Sequence, residues 1–299
     1  MRKNAIAQRG MSDKTFHVIL HIIVFIVLLI VLYPLIIVVS SSFSSGDALM
    51  AGRVLLLPAD FSLAGYQLVF ANKSVLTGFL NSIFYTLLNT AVSMILTILT
   101  AYPLARRNFQ GRPLMTTLFI IPMFFSGGLI PRYINASNLG LVNSRWGMVI
   151  MAGLTMSHVI ILRTFFQSSI PGELHEAARI DGINDFQYLF TIVLPLSKAP
   201  LAVVTLYNIV GNWNAYFGPM IYLRDRDLYP LQLILREILA ASKIDMSQIT
   251  DASLLAQLSG ASEVMKYSLI VVATVPMLIL YPMVQKFFKK GVMIGSLKG

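Results

Sequence analysis

The chain contains no cysteine and has few charged residues. Only 12% of its 299 residues are Asp, Glu, Lys or Arg, against about 25% in typical soluble domains. The absence of cysteine excludes disulfides and thiol chemistry. Because 56% of the residues are hydrophobic, most of the chain is expected to lie in lipid.

Charge is missing altogether from six long windows, and these windows predict the membrane spans. They are residues 15–46, 74–105, 113–131, 146–162, 199–223 and 267–285. The shortest has 17 residues, close to the minimum for a helix that crosses a hydrocarbon core about 30 Å thick. We therefore predict an all-α integral membrane protein with six transmembrane helices.

The basic residues predict how these helices are oriented. With the N-terminus inside, 14 of the 23 Lys and Arg residues fall on the cytoplasmic side, as the positive-inside rule requires. Both termini are then cytoplasmic. The predicted organisation is an N-terminal tail 1–15, a signal-anchor helix 16–41, an extracytoplasmic loop 42–75, a transmembrane core 76–288 and a C-terminal tail 289–299.

Several functional motifs are absent. There is no G-x-x-x-x-G-K-[ST] sequence for nucleotide phosphates, and no G-x-S-x-G elbow accompanies the Ser157–His158 pair. The predicted spans contain no Asp or Glu, the usual carriers of proton or sodium coupling, which weakens a secondary-carrier interpretation. His17 and His21 have metal-pair spacing but no carboxylate or cysteine nearby. The net charge of +10 is concentrated at membrane edges, so it indicates anionic lipid rather than nucleic acid.

Polar residues recur on one face of two predicted spans. In the second span the interval is four residues, and in the fifth it is three or four. Amides in lipid need hydrogen-bond partners, either on neighbouring helices or on a hydroxyl-rich solute along a wet path. Both interpretations stay open for the candidate solute-path residues Asn81, Tyr85, Asn89, Asn208, Asn212, Trp213 and Tyr216.

A charged segment, residues 165–197, separates the fourth and fifth spans. It contains Glu176-Ala177-Ala178, then Gly182 after three residues, then Ile192-Val193-Leu194-Pro195 after nine more. We expect a slim helix across the inner membrane face, ended by Gly182 with positive φ, with Pro171 in its first turn. Asn184 or Asp185 would cap the next helix. This pattern resembles the coupling loop by which permease subunits of bacterial ABC importers dock on their ATPases.

Other stretches extend the resemblance over nearly the whole chain. They include Ala101–Arg106, Gly128–Pro131, Leu139–Asn143, Asn212–Tyr216 and Lys290–Gly299. The chain is similar to carbohydrate-type permeases of the maltose-permease superfamily, most of all to the branch found beside oligosaccharide-binding lipoproteins in Bacillus-like bacteria. The resemblance implies the transmembrane domain of a type I ABC importer, multi-pass in the bacterial cell membrane. It implies sugar import by alternating access, with no catalytic, metal or cofactor site in this chain.

The resemblance also implies partners and site residues. The partners are a second, different permease subunit, two ATPase subunits that bind ATP and Mg, and an extracytoplasmic sugar-binding protein. The implied ATPase-coupling residues are Glu176, Ala177, Ala178, Asp181, Gly182, Leu194 and Pro195, and the implied ATPase-interface tail residues are Gly291, Gly295 and Ser296. The alternatives are a secondary solute carrier, a membrane scaffold that recruits an ATPase, and an ABC permease for another solute such as lipid or peptide.

Overall fold

The computed structural model describes the backbone of residues 2–106, 108–125, 127–241 and 252–296, and the side chains of 15–106, 108–125, 127–240 and 259–282. Within these ranges every regular element is helical, as the composition predicts. The chain forms two units, one of residues 1–71 with 238–272 and the other of residues 72–237 with 273–299.

The first unit is built on two long helices. These are α1 (Arg2–Ser42) and the start of the last helix of the chain (Ala252–Ser296), and two short helices, α2 (Gly46–Met50) and α3 (Ala64–Ala71), lie between them in sequence. The predicted tail 1–15 is therefore helical from Arg2, and the predicted loop 42–75 contains two helices. The Ser268 hydroxyl donates to the Ser42 carbonyl at 3.2 Å, and Gly46 lies against the backbone of Gly260.

The second unit is organised around one long helix, α4 (Lys73–Ala105). Asn72 caps it by accepting hydrogen bonds from two first-turn N–H groups. The following helices are α5 (Arg112–Phe124), α6 (Leu129–Asn138), α7 (Arg145–Ala152), α8 (Met156–Ser169), α9 (Gly172–Ile180), α10 (Asp185–Tyr188), α11 (Leu194–Leu196), α12 (Lys198–Trp213), α13 (Phe217–Tyr222) and α14 (Leu231–Ala241), whose last residues fall in the first unit. The last helix, α15 (Ala252–Ser296), belongs to the second unit from residue 273 onward. Helices α7, α8 and α12 pack against α4, and the buried core includes Val159, Leu162, Leu189 and Val204.

Only three helices are long and apolar enough to cross a membrane alone, in the part of the chain described here. They are Thr15–Ser42, Lys73–Ala105 and Ser259–Pro282. Three bent pairs, α5 with α6, α7 with α8, and the segment Asp185–Leu196 with α12, raise the number to six if each pair is one span. The sequence predicted six transmembrane helices, and the number agrees if each bent pair is one span. The breaks of the first two pairs fall inside charge-free windows, and the third falls just before residue 199.

Two of these three breaks have a local cause in the sequence. Gly153, with a φ of 47°, separates α7 from α8, which meet at 46°. A π-helical turn over Leu189–Val193 and the proline at 195 precede the 84° bend before α12. This bend turns the chain from the charged segment into the core of the second unit.

Candidate coupling site

The predicted coupling segment contains a short helix, α9, that ends sharply. Gly182 has a φ of 74°, the left-handed conformation that favours glycine. Its N–H donates to the Arg179 carbonyl at 3.1 Å, and the Ile183 N–H donates to the Ala178 carbonyl at 2.9 Å. These two bonds form a Schellman motif, which fixes the length of α9 and the direction of the chain beyond it. Pro171, expected within the first turn, is the residue just before the helix.

The next helix, α10, starts after a gap of only four residues. Asn184, one of the two caps that the sequence left open, accepts a hydrogen bond from the Gln187 N–H at 2.8 Å. The Gln187 side chain accepts one from the Asn184 N–H at 3.2 Å. This capping box, together with the Schellman motif before it, makes a rigid corner between α9 and α10.

The two faces of α9 differ in burial. Ala178 is 3% exposed and belongs to the core cluster that also contains Tyr102 and Tyr188. Glu176 and Ala177 are exposed, and Ile180 is 87% exposed. Of the two predicted coupling alanines, only Ala178 therefore contacts the core of its own chain.

The remaining predicted coupling residues lie along the same segment. Asp181, Gly182 and Pro195 are exposed, and Leu194 is partly buried. Two aromatic residues that the motif does not contain, Phe186 and Phe190, are 65% and 51% exposed.

A cluster of polar side chains joins this segment to the end of α4. The Arg106 guanidinium contacts His175 Nε2 and lies 3.3 Å from Asp185 Oδ1. His175 Nε2 is itself 3.0 Å from the same carboxylate oxygen. The guanidinium carbon lies 5.7 Å from the ring centroids of both Tyr102 and Tyr188. Sequence patterns do not reveal this cluster, because Asp185 is 10 residues from His175 and 79 residues from Arg106.

A cavity of about 640 Å³ opens beside this cluster. It lies between α9 and the ends of α4 and α8, and it carries charges of both signs. The charged residues that line it are Arg106, Arg112, Glu173, Glu176 and Arg179.

Several predicted solute-path residues bond to their own chain. The Asn81 side chain donates to the carbonyls of Asp227 and Tyr229, at 2.7 and 3.0 Å. The Tyr85 hydroxyl donates to the Leu228 carbonyl at 3.0 Å, and Asn89 donates to Asn212 at 3.3 Å. These bonds connect α4 with α12 and with the loop before α14.

The predicted solute-path residues in the buried part of α12 also make hydrogen bonds within the chain. Asn208 donates to the Val204 carbonyl at 3.0 Å, and Asn212 donates to the Asn208 carbonyl at 2.8 Å. The Trp213 indole N–H donates to the Ala273 carbonyl at 2.9 Å. The first two bonds stay within α12, whereas the bond of Trp213 connects α12 to α15. That these residues also contact solute stays a prediction.

Tyr216 differs from the others because it lies on the surface. It is 43% exposed, and the Arg236 guanidinium lies 5.0 Å from its ring centroid. The pair thus presents an aromatic ring and a cation together, and sequence spacing gave no indication of Arg236.

The buried face of α4 also carries hydroxyl groups that sequence reasoning missed. They lie at intervals of three or four residues, as one face of a helix requires. None has a hydrogen-bond partner among the side chains and backbone described, and they belong to Thr86, Thr90, Ser93 and Thr97.

Two further predictions concern the termini and metal binding. The predicted ATPase-interface residues Gly291, Gly295 and Ser296 continue α15, but only their backbone is among the described parts of the chain. His21 Nδ1 lies 2.6 Å from the His17 carbonyl, a local contact. No group of three metal-ligating residues occurs in the described part of the chain.

Comparisons with known proteins agree with this architecture. The model of the family described as "Binding-protein-dependent transport system inner membrane component" matches residues 93–294. The polygalacturonan/rhamnogalacturonan transport system permease protein YtcP of Bacillus subtilis is 37% identical, over 97% of this chain and all of that protein. Protein LplC of the same organism is 36% identical, over 89% of each chain.

A solved structure shares the fold. It is a chain of a bacterial ABC transporter involved in the import of the acidic polysaccharide alginate, with a TM-score of 0.84 and 34% identity. The match covers 93% of this chain and 98% of that chain. The apolar helices and this fold make the protein a multi-pass membrane protein and a transporter subunit rather than an enzyme. The chain therefore belongs to the family of inner-membrane components of binding-protein-dependent transport systems, the permeases of ABC importers.

Proposed function

We propose that this chain is one of two different permease subunits in an ATP-driven importer of oligosaccharides. The observation that carries the proposal is helix α9, an exposed helix with a rigid end that rests on the core of its own chain through Ala178. A partner that displaces such a helix moves the helices beneath it as well. The chain's membership of the permease family supports an ATPase as that partner.

The exposed surface of the coupling segment suits a protein partner. It presents large apolar side chains beside a carboxylate, a combination found at the centre and rim of protein interfaces. The apolar residues are Leu174, Ile180, Phe186 and Phe190, and the carboxylate is Glu176. In the proposed orientation this surface faces the cytoplasm. Because the chain has no native cysteine, a single Ile180→Cys variant should react with an impermeant maleimide only from that side.

In the proposed cycle this chain transmits movement and forms part of the solute path, whereas ATP is hydrolysed on the ATPase subunits. ATP and Mg bind to the ATPase subunits, and closure of the ATPase pair moves α9. Ala178 passes this movement to Tyr102 on α4 and to Tyr188 on α10, because all three belong to one packed cluster. The spans then expose the solute path to the outer face, where a binding protein delivers the solute. Hydrolysis restores the inward-facing state.

We propose an acidic oligosaccharide as the solute. The sequence offers no cluster of intramembrane Arg or Lys, which by itself disfavours anions. Two of the similar proteins, however, are named for polygalacturonan and alginate. The exposed Tyr216 ring can stack on a sugar, and the nearby Arg236 guanidinium can pair with a sugar carboxylate. None of the ion pairs among the described side chains includes Arg236.

The test is uptake by cells that lack this chain and carry wild type or a variant. The panel contains labelled acidic and neutral oligosaccharides. Glu176→Lys and Gly182→Asp should abolish uptake while membrane insertion stays normal, since the first reverses a charge on the docking surface and the second strains the left-handed turn. Asp47→Lys makes the same type of charge change at an exposed position in the first unit and serves as the control.

The outcomes distinguish the alternatives. Loss of acidic-sugar uptake in the deletion strain and in both variants supports the proposal. Uptake that is lost in the deletion strain but normal in both variants would contradict ATPase docking by this segment. Uptake that is abolished by an ionophore, and not by ATP depletion, would indicate a secondary carrier.

A further inference from the structure

A polar cluster ties helix α9 to the core at a point that the coupling motif does not include. Arg106 follows the last residue of α4, His175 lies in α9, and Asp185 is the first residue of α10. The three side chains are in contact. Asp185 Oδ1 lies 3.3 Å from the Arg106 guanidinium and 3.0 Å from His175 Nε2. Three separate segments are thus connected through one carboxylate oxygen.

The Arg106 and His175 side chains of the cluster are largely buried, whereas the Asp185 carboxylate is exposed. The side chains of Arg106 and His175 are 22% and 14% exposed, whereas that of Asp185 is 70% exposed. Tyr102 and Tyr188 place their rings by the guanidinium, and the edge of the His175 ring meets Tyr188 at a centroid distance of 5.0 Å. The half-buried guanidinium needs hydrogen-bond acceptors there, because the aromatic surroundings offer few.

One nitrogen atom in the cluster has two competing partners. His175 Nε2 contacts both Arg106, which can only donate a hydrogen bond, and Asp185, which can only accept one when ionised. The nitrogen accepts from Arg106 when it carries no proton, and it donates to Asp185 when it does. It cannot do both at once. The cluster therefore has two discrete hydrogen-bonding arrangements, and a small shift of α9 relative to α4 would favour one of them.

We infer that Arg106, His175 and Asp185 form a tie that transmits the movement of α9 to α4, and that they act as positioning residues for transport. This inference rests on the proposed docking of α9 on an ATPase. Packing at Ala178 alone can push α4 but cannot pull it. A charge-assisted connection between the two helices resists separation and so carries movement in both directions.

The experiment measures how tightly ATP hydrolysis is coupled to the binding protein. The complete importer, reconstituted in nanodiscs, is assayed for hydrolysis with and without binding protein loaded with trigalacturonate. In Asp185→Asn and Arg106→Gln importers, stimulation by the loaded binding protein should fall about tenfold, a usual size for coupling between sites. ATPase subunits should still copurify, because neither variant alters the exposed apolar surface.

Two further variants separate a positioning role from a structural one. Arg106→Lys keeps a cation with donors for both partners but loses the planar guanidinium beside the two tyrosine rings, so it should restore part of the stimulation. Arg53→Gln removes the ion pair of Arg53 with Asp60 in the first unit, which has a distance of 2.6 Å, and it should change nothing. Asp185→Asn alters an exposed side chain, so this variant is expected to fold even if Arg106→Gln does not.

The possible outcomes distinguish the tie from ATPase docking and from the proposed function. Stimulation that is normal in wild type, Asp185→Asn and Arg106→Gln would overturn the tie but leave ATPase docking intact. Loss of copurification in Asp185→Asn would also overturn it, since the cluster would then belong to the docking surface. A wild-type importer that never responds to the loaded binding protein would overturn the proposed function and the tie together.

Discussion

Replacing Trp213 distinguishes helix packing from solute contact. This tryptophan is 3% exposed, its indole N–H donates to the Ala273 carbonyl at 2.9 Å, and its ring meets Phe79 edge to face at 5.7 Å. Trp213→Phe keeps most of the packing and loses the hydrogen bond, at a cost of about 1 kcal/mol. Trp213→Ala also leaves a cavity, and its cost should reach about 3 kcal/mol or more. Both variants should therefore lower the melting temperature, and the alanine variant should lower it further.

The tryptophan content of the chain makes the assay specific. The only other tryptophan, Trp146, is 64% exposed. In a Trp146→Phe background, fluorescence therefore reports on position 213 alone, which makes quenching by a solute measurable. Thermal unfolding of the Trp213 variants, which lack this fluorophore, is followed by the loss of helical circular dichroism. Uptake of acidic and neutral oligosaccharides is measured in parallel and divided by the amount of folded protein. We expect Trp213→Phe to keep both the rate and the solute preference of wild type.

Two results would refute the packing role. One is a Trp213→Phe variant whose melting temperature is unchanged but whose solute preference is altered. The other is quenching of Trp213 emission by a transported oligosaccharide in the Trp146→Phe protein. Either result would place Trp213 in the solute path.

Two other substitutions test the packing of each unit. Asn81→Ala leaves the two loop carbonyls before α14 without their donor, so it should destabilise the protein by about 1–3 kcal/mol, measured as a lower melting temperature in detergent; an unchanged value would mean that water replaces the amide. Gly46→Ala places a Cβ 2.9 Å from the carbonyl carbon of Gly260, so it should cost about 1–3 kcal/mol. The control is Gly211→Ala, because this helical glycine has nothing within 4 Å of the new Cβ. The control variant should be neutral or stabilised by up to about 1 kcal/mol. Equal losses of stability in the two glycine variants would refute the close approach of Gly46 to Gly260.

Local features of the coupling segment were predictable from the sequence. The positive φ of Gly182 and the cap at Asn184 follow from residue types that favour one backbone conformation or one hydrogen bond within a few positions. The apolar character of the spans also follows directly, because it depends on composition along a single helix. These features involve neighbours in the chain, so the sequence displays them.

The tertiary structure alone decided which side chains meet. Spacing placed Asn81 and Asn208 on polar faces, but it could not say whether those faces meet solute or other helices. The Asn81 amide donates to the Asp227 carbonyl, and the Asn208 amide lies 3.3 Å from His158 Nδ1 on α8. In the same way, Arg106 and Asp185 are 79 residues apart, and no periodicity relates them. Folding brings such pairs together through the packing of whole helices. The sequence by itself therefore determined the membrane helices and the corner at Gly182, whereas only the packed helices determined what each buried polar group binds.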